Sequence, residues 1–314
     1  MGPVAHSLAP GIHTFSTSAH AILSYHLAPS SNPSAPLAVV QAVGWGIGRT
    51  LYVNGIAPLL PNYTVLTLSP RGSDESSRPD DVSKMSSIDM AEDLESLRQY
   101  LDIPAFPVLL GHSNGGTIAL AYAEQYPTRV ERLVLIDHHL LGTNAGPRGP
   151  TWDKFKAQRE NLAQFKAAYE TWAGPPPTTD EEFAKYLDGI LPSYFYDPER
   201  NCAAVKEQMK GPELPRIWCI AVHGMADSKQ GDKQIGLLDK VQARTLVIAG
   251  REDNICGWDT NGKRTVDAIN EGKNSTAKLV VLSECGHFPW VERKEQFVNA
   301  VLQFLRDSIK PNPI

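Results

Sequence analysis

Cysteine is scarce in this sequence: there are four in 314 residues, Cys202, Cys219, Cys256 and Cys285. Their wide spacing fits neither a disulfide scaffold nor a zinc site, so free thiols in a reducing compartment are expected. The sequons Asn62-Tyr63-Thr64 and Asn274-Ser275-Thr276 then carry no weight, because glycosylation needs the secretory route. No run approaches the roughly 18 apolar residues of a membrane helix. The N-terminus, Met1-Gly2-Pro3-Val4-Ala5-His6, lacks the basic and apolar regions of a secretory signal, and Pro3 and His6 do not fit myristoylation. The last residues, Lys310-Pro311-Asn312-Pro313-Ile314, match no retention or peroxisomal address. Blocks of like charge are absent too, and a net charge of −5 leaves no footprint for nucleic acid. These absences leave a cytoplasmic protein with no membrane and no nucleic-acid partner as the expectation.

What remains is ordinary for a globular chain, 42% apolar and 21% charged. Its length suits one large domain with an insertion, or two domains. Candidate strands from His13 to Ser18 and from Ala21 to His26 form an opening hairpin. Leu37 to Val43 reads as a buried strand that runs into Gly44-Trp45-Gly46-Ile47-Gly48, a loop by its glycines. A short helix is predicted over Leu51–Leu60, ending at Pro61, and a strand over Tyr63–Leu68. Ser86 and Asp89 have capping-box spacing ahead of a helix carrying Ile88, Met90, Ala91, Leu94, Leu97 and Leu101. Further strands are predicted over Val108–Leu110, Arg132–Asp137, Ala243–Ala249 and Ala277–Leu282, with helices over Trp258–Asn270 and from Trp290 onward. Strands alternating with helices at this spacing imply a mostly parallel sheet covered on both faces, an α/β architecture.

The alternation breaks between Leu140 and Gly236. No strong strand is visible there. Trp152, Phe155, Leu162, Phe165, Tyr169 and Trp172 fall on one helical face, and further helices are predicted near Thr179–Ile190 and Glu199–Lys210. The expected organisation is a core domain of 1–139 and 237–314 with a helical cap, 140–236, inserted after the sixth strand.

Val108-Leu109-Leu110-Gly111-His112-Ser113-Asn114-Gly115-Gly116 is a strand, a serine between glycines and the start of a helix. Glycines at i−2 and i+2 permit a sharp turn that lifts the serine hydroxyl clear of the backbone at the positive end of the helix. Two later strands also end in polar groups, one at Gly250-Arg251-Glu252-Asp253 and the other at Gly286-His287-Phe288-Pro289. In an open parallel sheet the carboxyl ends of the strands share one edge, so Ser113, Asp253 and His287 should converge. A hydroxyl needs an imidazole to take its proton, and the imidazole needs a carboxylate on its other nitrogen. The chain order Ser, Asp, His suits that arrangement.

With these pieces the sequence resembles the α/β-hydrolase superfamily over nearly its whole length, in the serine-nucleophile branch with a helical cap. Arg71-Gly72, Ser76, Pro79 and Glu292 also match, whereas Ser69 and Asp74 stand where the family has Asp and Gly. The resemblance implies Ser113 as nucleophile, His287 as base and Asp253 as acid, Asp137 being an alternative acid that also ends a strand. It places the oxyanion hole at the N–H groups of Asn114 and Trp45, with Val43-Gly44 in place of the family's His-Gly. Trp45, His138, His139, Trp152, Tyr194, Trp218 and Phe288 are the candidate substrate-binding residues, and neither metal nor cofactor is expected. His223 with Asp227 could mimic a metal pair, but no further ligand lies at a useful spacing. His112 is expected to pack beneath the turn, and Cys256 and Cys285 to be inert thiols rather than a redox switch.

Ser113 argues against the capped epoxide hydrolases and haloalkane dehalogenases, which attack with Asp. Cap aromatics suggest an apolar pocket and hence an ester or lactone of a small hydrophobic molecule. The alternatives are a proline iminopeptidase, whose α-amine site Asp180, Glu181, Glu182, Glu199, Glu207 or Glu213 would supply, a carbon–carbon bond hydrolase or lyase, and a non-hydrolytic small-molecule receptor.

Overall fold

A computed structural model describes residues 9–17, 21–143, 149–272 and 275–306. An eight-stranded sheet runs through its centre in the order β1–β2–β4–β3–β5–β6–β7–β8. The strands are β1 Gly11–Ser16, β2 Ile22–Ala28, β3 Leu37–Gln41, β4 Thr64–Leu68, β5 Val108–His112, β6 Arg132–Ile136, β7 Arg244–Gly250 and β8 Ala277–Leu282. β1 pairs antiparallel with β2 and β2 with β4, and the remaining pairs are parallel. The central strands are continuous runs of Val, Leu, Ile and Ala because helices cover both of their faces. Of the opening hairpin, Ser18 lies outside the described residues, as do Asn274 of the second sequon and both chain ends discussed above.

The helices of the first half are α1 Thr50–Gly55, α2 Ser87–Tyr100 and α3 Asn114–Gln125. α1 is shorter than the predicted helix: Pro58 lacks an N–H, and the chain continues as a 3₁₀ turn over Ala57–Leu59. α2 carries the predicted capping box, with the Asp89 N–H donating to Ser86 Oγ at 3.1 Å and the Ser86 N–H to Asp89 Oδ2 at 3.3 Å. Leu94 and Leu97 of α2 pack with Ile118 and Tyr122 of α3 on one face of the sheet. On the other face Tyr52 and Ile56 meet Phe297 and Val301.

Between β6 and β7 no strand forms among the described residues. The segment holds α4 Pro150–Arg159, α5 Ala163–Ala173, α6 Asp180–Ile190, α7 Pro198–Met209 and α8 Ile217–Ser228. The aromatic stripe expected on one helix is split over two, α4 and α5. Leu162 caps the second of them and is 45% exposed, while Trp152, Phe165 and Tyr169 regroup around Ile255 and Cys256. α8 has no counterpart in the sequence reading, since its start, Ile217-Trp218-Cys219-Ile220-Ala221-Val222, is apolar on every side and shows no helical period.

After β7, a π-helical turn over Trp258–Lys263 precedes α9 Arg264–Glu271, where one α-helix was predicted. Its buried Asn261 turns inward, donating to the Cys256 carbonyl and accepting from Thr143 Oγ1. The final predicted helix is two pieces, α10 Pro289–Glu292 and α11 Lys294–Arg306. Among the described residues no helix is long and apolar enough to cross a membrane.

Candidate active site

Parallel β3, β5, β7 and β8 deliver their carboxyl ends to one edge of the sheet, and every expected chemical group lies just beyond one of them. After β5 the chain reverses at Ser113, whose backbone is left-handed (φ 54°, ψ −129°), a strained state for a residue with a side chain. A Cβ at Gly111 would fall on the backbone of Gly115 and Gly116, so the reversal requires glycine there. The turn is tied down by the Ser113 N–H donating to the Ile136 carbonyl at 2.9 Å, and by the Ser113 carbonyl accepting from Gly116 at 3.0 Å and His139 at 3.2 Å.

After β7 the chain wraps around the carboxylate of Asp253. Oδ1 accepts the Ile255 N–H at 2.8 Å and Oδ2 the Cys256 N–H at 3.3 Å. The third donor is His287 Nδ1, 2.9 Å from Oδ2. Asp253 is fully buried and His287 2% exposed. A carboxylate can only accept, so Nδ1 carries the ring proton and Nε2 is left as the basic nitrogen. The ring is held edge-on by Tyr194 and Phe288 and tilted against His112, and the His287 N–H donates to the Tyr194 carbonyl at 2.7 Å. Beneath the turn, His112 sits between Tyr52 Oη at 3.2 Å and the His287 carbonyl at 2.8 Å, and burial together with the neighbouring imidazole lowers its pKa.

Ser113 and His287 share the wall of one cavity of about 190 Å³. Its remaining wall is almost wholly apolar, with Trp45, Trp172, Phe183, Leu187, Tyr194 and Phe288 prominent. Among the described residues no hydrogen bond joins the Ser113 hydroxyl to the imidazole, a contact that is often long until substrate completes a site. A second, larger cavity of about 670 Å³ also reaches Ser113, and its wall includes Trp45, His139, Thr143, Asp227, Ser228 and Cys256. The serine thus stands between an apolar chamber and a more polar one.

Neither the Trp45 nor the Asn114 N–H is taken by a hydrogen bond among the described residues. The Asn114 side chain holds the glycine loop, with Oδ1 accepting the Gly44 N–H at 2.9 Å and Nδ2 donating to Ser87 Oγ at 2.9 Å. Val43 lines the apolar cavity.

Trp45, Tyr194 and Phe288 lie at the apolar cavity and His139 at the polar one. Three other expected contacts lie elsewhere. His138 is buried against Thr265 Oγ1 at 2.9 Å, with its pKa pushed down to about 3 by burial. Trp152 packs edge-on against Tyr169 and Trp172, outside both cavities. The Trp218 ring lies under the Arg78 guanidinium at 4.4 Å. None of Asp180, Glu181, Glu182, Glu199, Glu207 and Glu213 lines either cavity. Asp180, for one, is spent on the N–H of Ile217 at 2.8 Å.

Asp137 is buried directly after β6, the strand beside β5, with Oδ1 accepting the Gly250 N–H at 2.8 Å. Among the described residues it makes no hydrogen bond to His287, whose Nδ1 is on Asp253. At the Arg-Gly segment, Ser69 Oγ donates to Asp74 Oδ2 at 2.6 Å and the Arg49 N–H to the same oxygen at 2.9 Å, so the two family departures compensate each other. Asp253, Cys256 and His287 are the one group among the described residues with metal-ligand atoms within 4.8 Å of one another. The Asp253 oxygens are already filled by donors, and burial pushes the Cys256 thiol well up, which disfavours a thiolate ligand.

Residues 43–166 match the family model described as the alpha/beta hydrolase fold. A human (lyso)-N-acylphosphatidylethanolamine lipase is 33% identical over 190 residues, covering 54% of this chain and 54% of the lipase. The chain spans about half the length of the curated relatives it matches. Among solved structures, the esterase EaEST from Exiguobacterium antarcticum superposes with a TM-score of 0.69 at 19% identity, covering 95% of this chain and 100% of that one. The enol-lactonase from Burkholderia xenovorans LB400 gives 0.65 at 18% identity, covering 94% and 100%. The chain has the alpha/beta hydrolase fold.

Proposed function

We propose that the protein is a serine hydrolase that cleaves an ester or lactone of a small hydrophobic molecule by acyl transfer. The observation that carries this reading is the apolar cavity with Ser113 and His287 in one wall and the ring proton of His287 on Asp253. Ser113 Oγ attacks the carbonyl carbon while His287 Nε2 takes its proton, and Asp253 keeps the imidazole in the right tautomer and balances its charge. The carbonyl electron pair moves onto oxygen, where the N–H groups of Trp45 and Asn114 receive it. Collapse expels the alkoxide, which takes the proton from His287 and leaves an acyl-serine. Water, deprotonated by the same nitrogen, then releases the acid.

The acyl chain occupies the cavity lined by Phe183, Leu187 and Tyr194, and the alcohol leaves through the polar chamber. Helices α4–α8 act as the cap over this site. The likeness to the human lipase supports an ester as the bond attacked. None of Asp180, Glu181, Glu182, Glu199, Glu207 and Glu213 lines either cavity, and the one carboxylate of the helical segment that does, Asp227, is spent on Ser87 and His223. Four buried free thiols support a reducing, cytoplasmic setting.

Labelling by a fluorophosphonate probe, with Ser113→Ala as control and p-nitrophenyl esters as substrates, tests the reading. Labelling and ester turnover should both be lost in Ser113→Ala. Labelling that persists in the variant, or none in the wild type, overturns it.

A further inference from the structure

One buried histidine stands outside the triad and close to the glycine loop. His223, on α8, is fully buried, and its Nδ1 lies 2.8 Å from the carbonyl oxygen of Gly44. A carbonyl only accepts, so the imidazole donates. The other nitrogen, Nε2, is anchored by Asp227 Oδ2 at 3.0 Å, one helical turn on, and by Ser87 Oγ at 2.9 Å. Asp227 is itself fixed at the start of α2, accepting the Ser87 N–H at 2.6 Å and the Ser87 hydroxyl at 2.8 Å.

The bond from His223 falls on a particular peptide unit. The Gly44 carbonyl and the Trp45 N–H belong to the same planar trans peptide and point in opposite directions, so fixing one fixes the other. Asn114 Oδ1 grips the Gly44 N–H on the near side at 2.9 Å. Gly44 is therefore clamped through both of its backbone polar groups, and the fit is close: a Cβ there would fall on the ring of His223.

We propose that His223 is a positioning residue for the oxyanion hole. It holds the Gly44–Trp45 peptide so that the Trp45 N–H stays aimed at the developing oxyanion beside that of Asn114. It reaches this loop from the helical segment between β6 and β7, so that segment is part of the oxyanion hole as well as a cover for the acyl pocket. This rests on the serine-hydrolase reading. A donor that drifts by a fraction of an ångström still permits substrate binding but stabilises the transition state less, so the loss falls on kcat.

The test compares His223→Asn with His223→Gln, using p-nitrophenyl butyrate as substrate and phenylboronic acid as a tetrahedral-adduct probe. The asparagine amide can occupy the place of Nδ1 and keep the bond to Gly44, whereas the glutamine amide sits at the place of Nε2 and loses it. His223→Gln should lower kcat about 10–100-fold with KM changed less than about threefold, and weaken phenylboronic acid in proportion to kcat. His223→Asn should retain most of kcat. Equal losses in both variants, or a change confined to KM, overturn the proposal. If His223→Gln does not fold, Asp227→Asn, which loosens the Nε2 anchor, should lower kcat about 3–10-fold; an unchanged kcat overturns the proposal. Absence of Ser113-dependent turnover in the wild type is a separate result, which removes the hydrolase reading and this inference with it.

Discussion

Glu292 accepts the Gly286 N–H at 3.0 Å, one residue before His287, and takes the Tyr196 N–H from the helical segment with the same carboxyl group. Burial pushes its pKa up to about 7, against the pull of these two donors. A carboxyl that binds its proton more tightly when folded stabilises fully below its unfolded value of 4.5, and that contribution is lost as pH rises through about 7. Glu292→Gln removes this titration. Chemical denaturation should therefore show the wild type losing stability relative to the variant between pH 5 and 8, by at most about 3 kcal/mol at roughly 1.4 kcal/mol per unit. Parallel behaviour of the two proteins over that range would contradict it.

Two buried aspartates lie at the base of the site, and only one should be needed for catalysis. Asp253 bonds His287 Nδ1, whereas burial and the Asp253 carboxylate together raise the pKa of Asp137 well above the usual range. Asparagine closely mimics a neutral carboxyl, so Asp137→Asn should leave kcat within about threefold. Asp253→Asn removes the acceptor that sets the tautomer of His287 and should lower kcat about 10³–10⁴-fold. Steady-state kinetics on one ester decides the matter. The reverse order of effects would move the acid role to Asp137.

Leu187 is half-buried in α6 and lines the apolar cavity beside Phe183 and Ile190. Shortening it to alanine enlarges the acyl chamber at modest cost, since the position is only partly packed. The preferred p-nitrophenyl ester should lengthen by about two carbons, each buried methylene being worth about 0.8 kcal/mol. An unchanged chain-length optimum for kcat/KM would mean that the acyl group lies elsewhere.

Much of this site was legible in the sequence because its parts are local. Gly111, Ser113 and the helix after them form one turn, and the turns at Asp253 and His287 each follow an apolar strand whose period is plain. Parallel pairing then brings three distant segments to one edge without any further signal. The lining of the apolar cavity is harder to read. Trp152 and Trp218 looked like pocket aromatics, yet one fills a cluster with Tyr169 and the other lies under Arg78. Composition says that a ring will be buried but not against what. His223 was the plainest loss: a lone histidine on a helix without an amphipathic period has only a metal pair to suggest at i+4. Its partner is a backbone carbonyl 179 residues away, which leaves no trace in residue identity.

Arg71 and Asp93 form a two-pronged ion pair at 2.7 and 2.9 Å, with both side chains at most 6% exposed. Arg71 also donates to the carbonyls of Lys84 and Asp89, which ties the segment after β4 to the start of α2. That helix start holds Ser87, and through it Asp227. Removing one member of a buried pair strands the other charge, so Asp93→Leu or Arg71→Met should each cost about 3–5 kcal/mol. Replacing both residues, as Arg71→Met with Asp93→Leu, removes both charges and should recover part of that loss. Recovery should stay incomplete because the two carbonyl contacts of Arg71 go with it. Urea denaturation of the four proteins as a double-mutant cycle measures the coupling. Additive costs would show that the pair contributes no more than its separate side chains.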